Sequence, residues 1–207
     1  KLAKGLLGTN NVDTNSRLCM SSAVAGYKAT LGADAPPCSY DDIAHAQTVF
    51  IAGSNTAWAH PILMRRLEDA KRANPQQKWI VVDPRRTETA EAADLHLQIL
   101  PGTDVALFNG MAHLMLWEGF ADRAFIDAHT NDFDQAAAAV ADMTPVWAAD
   151  VTGVPRARIE QAAEWWGTSA TGMLLHARGI EQQSKGVDNV LAAINLGLAT
   201  GKFGKPG

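Results

Sequence analysis

Short uninterrupted apolar runs along this chain are separated by longer stretches in which apolar positions recur every three or four residues. Thr48-Val49-Phe50-Ile51-Ala52-Gly53 is β-branched and apolar throughout and stops on glycine, the pattern of a strand buried on both faces of a parallel sheet. Pro61 to Ala73 carries Ile62, Leu63, Leu67 and Ala70 at helical spacing, and Trp79-Ile80-Val81-Val82 is a second buried run that closes on Asp83-Pro84. Strand, helix, strand in this order requires a right-handed crossover and therefore a parallel pair. Leu95-His96-Leu97-Gln98-Ile99-Leu100 alternates and reads as a third strand, at an edge. Helices are expected from Pro101-Gly102-Thr103-Asp104 through Leu116, over Asp122 to Ala128, Asp132 to Asp142 and Pro155 to Trp166, and over Val187 to Ala199. Met173 to His176 is a late strand.

Ahead of the first strand, a helix is expected from about Ser16 to Leu31, because Asp13, Asn15 and Ser16 are all good N-cap residues. The paired prolines of Gly32 to Cys38 make a loop, and Ser39 followed by Asp42 reads as a capping box opening a short helix through Ala46. The whole pattern predicts an α/β fold, doubly wound, with a mostly parallel sheet and helices on both faces (Rossmann-like). That domain should span residues 39–176. Residues 1–38 and 177–207 read as pieces of a neighbouring domain, and both chain ends read as cuts in a longer protein.

A length of 207 residues suffices for a sizeable core. A net charge of -4 with no polybasic face argues against nucleic acid as a partner. No apolar run approaches the ~20 residues needed to span a bilayer. The two cysteines, Cys19 and Cys38, and the absence of any CxxC make zinc or iron-sulfur sites built wholly within this chain unlikely. They leave one disulfide possible.

In open α/β sheets ligands sit beyond the carboxyl ends of the strands, which directs attention to three turns. Gly53-Ser54-Asn55 offers a glycine for close approach, a hydroxyl and an amide beside a helix start, a fair phosphate cradle or an ordinary strand end. No GxGxxG is present, so a conventional nicotinamide or flavin site loses support. Asp83-Pro84-Arg85-Arg86-Thr87 places a carboxylate, able to take a ribose diol or a guanine N–H edge, beside arginines that pair with phosphate; a solvated surface turn explains it as well. Gly102-Thr103-Asp104 puts a helix cap and a first-turn carboxylate together, and that carboxylate can also accept two N–H groups of guanine. Away from the sheet, Cys19 falls in the first turn of its helix with Arg17 beside it, where the free N–H groups favour a thiolate. It is a candidate metal ligand or nucleophile, or simply a small buried residue. His60, just before Pro61, is the histidine expected nearest a pocket.

Arg17-Leu18-Cys19-Met20-Ser21-Ser22-Ala23-Val24-Ala25-Gly26-Tyr27, with Asn10 to Asp13 before it, resembles the metal-ligand segment of the molybdopterin oxidoreductase family, and the likeness is strongest to the assimilatory nitrate reductase catalytic subunits. Gly53-Ser54-Asn55, Val82-Asp83-Pro84-Arg85 with Thr87, and Pro101-Gly102-Thr103-Asp104 resemble the family's nucleotide-contacting segments. Arg178-Gly179-Ile180-Glu181-Gln182, then Asn189, resembles the segment that returns to the cofactor, although relatives commonly carry Asn where Glu181 stands and His or Arg where Lys185 stands.

The resemblance implies a bis(molybdopterin guanine dinucleotide) molybdenum cofactor, with Cys19 as its one protein ligand. Gly53, Ser54, Asn55, Asp83, Arg85, Thr87, Gly102, Thr103, Asp104 and Gln182 would bind the cofactor, and Arg178 would lie near the substrate. It further implies nitrate as substrate, a 4Fe-4S cluster ligated outside this chain, an electron-donor protein or domain, no membrane partner, and a cytoplasmic location. A formate dehydrogenase of the same family is the nearest alternative, but those enzymes typically place His directly after the metal-binding residue, where Met20 stands here. A domain that only binds a nucleotide or a partner protein is the other alternative.

Overall fold

Four strands, β1 Thr48–Ala52, β2 Lys78–Val82, β3 Leu95–Leu97 and β4 Gly172–His176, form one parallel sheet in the order β3-β2-β1-β4. This is seen in a computed structural model that describes residues 1–207. Side chains alternate across the sheet as the period of two demands. Val49 and Ile51 of β1 join Trp79 and Val81 of β2 on one face. Phe50 and Ala52 join Ile80 and Val82 on the other.

The helices, in chain order, are α1 Ser16–Cys19, α2 Ser21–Leu31, α3 Thr56–Ala59, α4 Pro61–Ala73, α5 Glu88–Glu91, α6 Asp104–Trp117, α7 Arg123–His129, α8 Phe133–Val140, α9 Pro145–Thr152, α10 Arg156–Thr168, α11 Arg178–Glu181 and α12 Gly186–Ala199. The chain also forms a π-helical turn over Leu2–Leu6 and a 3-10 turn over Tyr40–Ala44, and the latter carries the expected Ser39 and Asp42 capping box.

Met64, Leu67 and Ala70 of α4 cover the first face. The second face is covered by α6 and α10, where Phe50 meets Trp166 edge-on at 5.7 Å between ring centroids. Helices from both ends of the chain pack on that same layer: Ala23 of α2 and Val190, Ala193 and Ile194 of α12 belong to one cluster with Phe50 and Ile80. Gly26 makes the α2 and α12 crossing close, because a Cβ there would lie 2.5 Å from Val190 Cγ1.

A buried polar anchor sets the start of β2. Gln77 is fully buried, donates through Nε2 to the carbonyls of Ile43 and Ala46 at 2.9 and 2.8 Å, and accepts the Trp79 indole N–H at 2.8 Å. All three groups would otherwise be unpaired in the core.

Three elements differ from expectation. The helix expected over Ser16 to Leu31 is two helices, because Met20 leaves helical dihedrals (φ −119°, ψ 23°) and packs on the core. The third strand stops at Leu97 rather than Leu100, the chain having turned so that Leu100 N–H donates to Thr152 O at 2.8 Å. Helix α9 was not expected at all, although Thr144 caps it, Pro145 opens it and Gly153 closes it in the left-handed region.

The topology fixes where a ligand belongs. From β1 the chain steps outward through β2 to β3, then crosses back by α6 to α10 and lays β4 on the other side of β1. The crevice at such a reversal, beyond the carboxyl ends of β1 and β4, is the ligand position of doubly wound sheets.

Candidate functional site

The floor of the crevice is a backbone crossing. Ala177 N–H donates to Ala52 O at 3.2 Å, Gly179 N–H to Gly53 O at 3.0 Å, and Gly53 N–H to Val82 O at 2.9 Å. A Cβ on Gly53 would sit 2.6 Å from Ile180 N, and one on Gly179 would sit 2.6 Å from Gly53 Cα. Gly53 also has φ +58°. Its bare face is therefore filled by Gly179 of the segment after β4, and this crossing, rather than a ligand, is what demands glycine there.

Cys19 is tied by one side chain to the segment just beyond β4. It is half-buried, closes the single turn of α1, and is held by Gln182 Nε2, which donates to its carbonyl at 3.0 Å and to its Sγ at 3.1 Å. Gln182 follows α11, directly beyond β4, so one amide ties the sulfur to the strand ends. Two expectations about this cysteine change. The nearby helix start belongs to α2, two residues later, and Arg17 is turned away into an exposed pair with Asp13 at 3.3 Å.

The residue before Gln182 is a buried carboxyl. The Glu181 side chain is fully buried and meets Arg178 Nη2 at 2.7 Å, while Arg178 remains 41% exposed. Burial pushes the Glu181 carboxyl up, opposed by Arg178 and by the Ala23 N–H at the start of α2. Asn189 of α12 donates to Ile180 O at 2.7 Å and fixes the loop from the other side.

At the end of β4, His176 Nε2 is 2.7 Å from the Tyr27 hydroxyl and the rings stack at 5.5 Å. Burial, with Arg178 adding to it, lowers the His176 pKa to about 4, while burial and the nearby Glu181 raise Tyr27 to about 12. A cavity of about 300 Å³ beside β4 is lined by Tyr27 and His176 together with Ser54, Thr56 and His60, so His60 does face a pocket. A histidine kept neutral in the folded state binds fewer protons than its unfolded counterpart between the unfolded value of 6.5 and about 4. Its contribution to stability is thus fully present above pH 6.5 and is lost as pH falls through that window. Thermal midpoints measured from pH 7 to pH 4 should fall more steeply for the wild type than for His176→Gln. Parallel curves would remove His176 as the cause.

The remaining expected residues divide by what their polar groups already do. Ser54 Oγ is buried against Thr56 Oγ1 at 2.9 Å, and Asn55 Oδ1 accepts from Thr89 Oγ1 at 3.0 Å. Thr87 caps α5 by accepting from Ala90 N–H at 3.3 Å, and Thr103 donates to Leu100 O at 2.7 Å instead of capping α6. Asp83, largely buried, accepts Arg85 N–H at 2.8 Å through one carboxylate oxygen. The Arg85 side chain is exposed and forms no ion pair. Asp104 is 4% exposed at the first turn of α6, and its Oδ2 accepts from Gln183 Nε2 at 2.9 Å. Burial pushes its carboxyl up, opposed mainly by the Gln183 amide. Gln183 was not expected from sequence; nothing local marks a loop glutamine that bonds a carboxylate 79 positions away.

The chain matches the family model for molybdopterin oxidoreductases over residues 1–207. It belongs to that family. It is 46% identical over 207 residues to a nitrate reductase of Synechocystis sp., covering all of this chain and 29% of the relative. It is 39% identical to the F420-dependent formate dehydrogenase 1 subunit alpha of Methanococcus maripaludis, again over the whole chain and 30% of the relative. The chain thus spans under a third of the length of these relatives. Among solved structures it superimposes on acetylene hydratase from Pelobacter acetylenicus with a TM-score of 0.82 and 27% identity, covering 96% of this chain and 26% of that one. A nitrate reductase, a formate dehydrogenase and a hydratase share this framework by name, so the framework alone does not choose the reaction.

The residues present fit the family's cofactor. No three His, Cys, Asp or Glu side chains gather where they can hold a metal ion, and the Cys19 sulfur stands as a single soft donor. A soft sulfur donor, tied by Gln182 to the segment beyond β4, suits a sulfur-rich centre.

Proposed function

We propose that the full-length protein is a molybdenum-dependent nitrate reductase of the assimilatory, cytoplasmic kind, and that this chain supplies the metal's one protein ligand and the seat for one guanine dinucleotide end of its bis(molybdopterin guanine dinucleotide) cofactor. The observation that supports the reading is the Gln182 amide bonded to the Cys19 sulfur at 3.1 Å, which links that sulfur to the segment just beyond β4. When bound, the molybdenum centre supplies oxygen-atom abstraction from nitrate coupled to two electrons, which a 4Fe-4S cluster and a donor outside this chain deliver.

The chain's own residues bind and orient. Gln182 fixes the direction of the sulfur through its amide. Arg178, anchored by Glu181 yet 41% exposed, presents a guanidinium for an anionic substrate. Asp104 accepts the paired N–H groups of guanine, Asp83 the ribose hydroxyls, and the free Arg85 guanidinium the phosphates. Gly53 and Gly179 let two strand ends approach closely enough to form the floor, with Ser54, Asn55, Thr87, Gly102 and Thr103 shaping the turns around it.

Met20 beside Cys19, where formate enzymes typically carry His, and the 46% identity to a nitrate reductase favour nitrate over formate. The test is metal analysis of the full-length protein with one dye offered reduced against nitrate and oxidised against formate. Bound molybdenum with nitrate reduction is expected, and this 207-residue chain alone should be inactive. Absence of molybdenum, or formate oxidation faster than nitrate reduction, would overturn the reading.

A further inference from the structure

β3 and β4 are the two opposite edges of the sheet, yet one side chain joins the connections that follow them. Gln183 Nε2 donates one proton to Gly179 O at 2.8 Å, in the segment after β4, and the other to Asp104 Oδ2 at 2.9 Å, on the helix after β3. Its Oε1 lies 3.9 Å from where a Cβ on Gly102 would be, so the amide lies over the Gly102 turn. The side chain links the segments that follow the two edge strands, at the carboxyl end of the sheet, where a ligand of a doubly wound sheet sits.

Asp104 is 4% exposed and has no cationic partner, and Gln183 is its one side-chain donor. A buried carboxylate held by one neutral side-chain amide and its own backbone N–H, with no cation beside it, is poorly compensated. Gln183 is itself only half-buried and stands in a loop, so it can swing outward without disturbing the core. Guanine offers the same chemistry in a stronger form, with N1–H and N2–H as parallel donors to one carboxylate. Adenine turns a ring-nitrogen acceptor toward the same oxygens and is repelled.

We infer that Gln183 is a displaceable bar across the crevice, its amide holding the Asp104 carboxylate until a guanine edge takes that place. Gln183 thereby sets how tightly, and after what rearrangement, a guanine nucleotide is received. The inference rests on the assignment of guanine to Asp104 made above.

The test titrates GDP and ADP, each into the millimolar range, by calorimetry into the cofactor-free chain and into its Gln183→Ala, Gln183→Met and Asp104→Asn variants. Met keeps the side-chain length without the N–H donors, and thermal unfolding confirms that each variant is folded. The wild type should prefer GDP, and both Gln183 variants should bind GDP about fivefold tighter, the worth of one net hydrogen bond no longer broken. ADP binding should not move, and D104N should lose the preference. GDP preferred by the wild type but bound equally or more weakly by the Gln183 variants overturns the bar and leaves the Asp104 assignment standing. No preference for GDP over ADP in any of the proteins overturns that assignment, and the bar with it.

Discussion

Replacing Cys19 with alanine in the full-length protein is expected to remove nitrate reduction and bound molybdenum together while leaving the fold in place. The side chain is half-buried, belongs to neither apolar cluster, and its Sγ meets one partner, the Gln182 amide. Little stability depends on it. Loss of a residue that merely supports a metal ligand costs about 10 to 100-fold in affinity or activity, so loss of the ligand itself should exceed about 100-fold. A serine variant, with a hard oxygen for a soft sulfur, should behave nearly as badly. The measurement is dye-linked nitrate reduction beside elemental analysis, with circular dichroism as the control for folding. A C19A protein retaining both metal and rate would return Cys19 to the role of a small residue at a helix end.

The second large effect is structural and needs no cofactor. Gly53→Ala forces a side chain into φ +58° and sets its Cβ 2.6 Å from Ile180 N. Backbone strain and overpacking against immovable main chain together should cost about 4 kcal/mol, read as a lowered urea midpoint of the chain. Gly179→Ala strikes the other half of the same crossing, from 2.6 Å. The two losses should not add, because once one methyl has parted the strands the second meets little. A G53A protein as stable as the wild type would mean that the segment after β4 does not lie against β1.

The parts of this architecture readable from sequence are those whose cause is local. Thr48 to Ala52 and Trp79 to Val82 read as buried strands because every position is β-branched or apolar and the run ends in glycine or aspartate. The Ser39 and Asp42 box read correctly because both partners lie within one turn. Helix α9 carries equally local signals, in Thr144, Pro145 and Gly153, but is only eight residues long. The break at Met20 is different in kind: no glycine or proline marks it, and it exists because the tertiary packing draws that residue inward.

The site divides the same way. The strand-end turns follow from the rule for open α/β sheets and Cys19 from its place near a helix start, while Arg178 and Gln182 are named only by the resemblance to a family, which carries positions but not contacts. That Gly53 is required by Gly179 and that Gln183 rather than solvent faces Asp104 depend on partners tens of residues or more away, and Glu181, though only three residues from Arg178, is buried by the packing of the fold. Only the folded chain brings these together.

The register of the central strands has a consequence for the order of events during synthesis. Thr48 pairs with Lys78 soon after both are made, but its other neighbour is Gly172, more than a hundred positions later. Closing so long a loop is slow relative to the β1 and β2 pairing. A nascent chain therefore carries three of the four strands with the β1 edge bare until residues 172–176 have been made, and neither the glycine crossing nor the amide on the sulfur exists before then. Insertion of a large prosthetic group must wait for that final docking, and any factor that delivers one has to recognise the finished crevice and not the growing polypeptide.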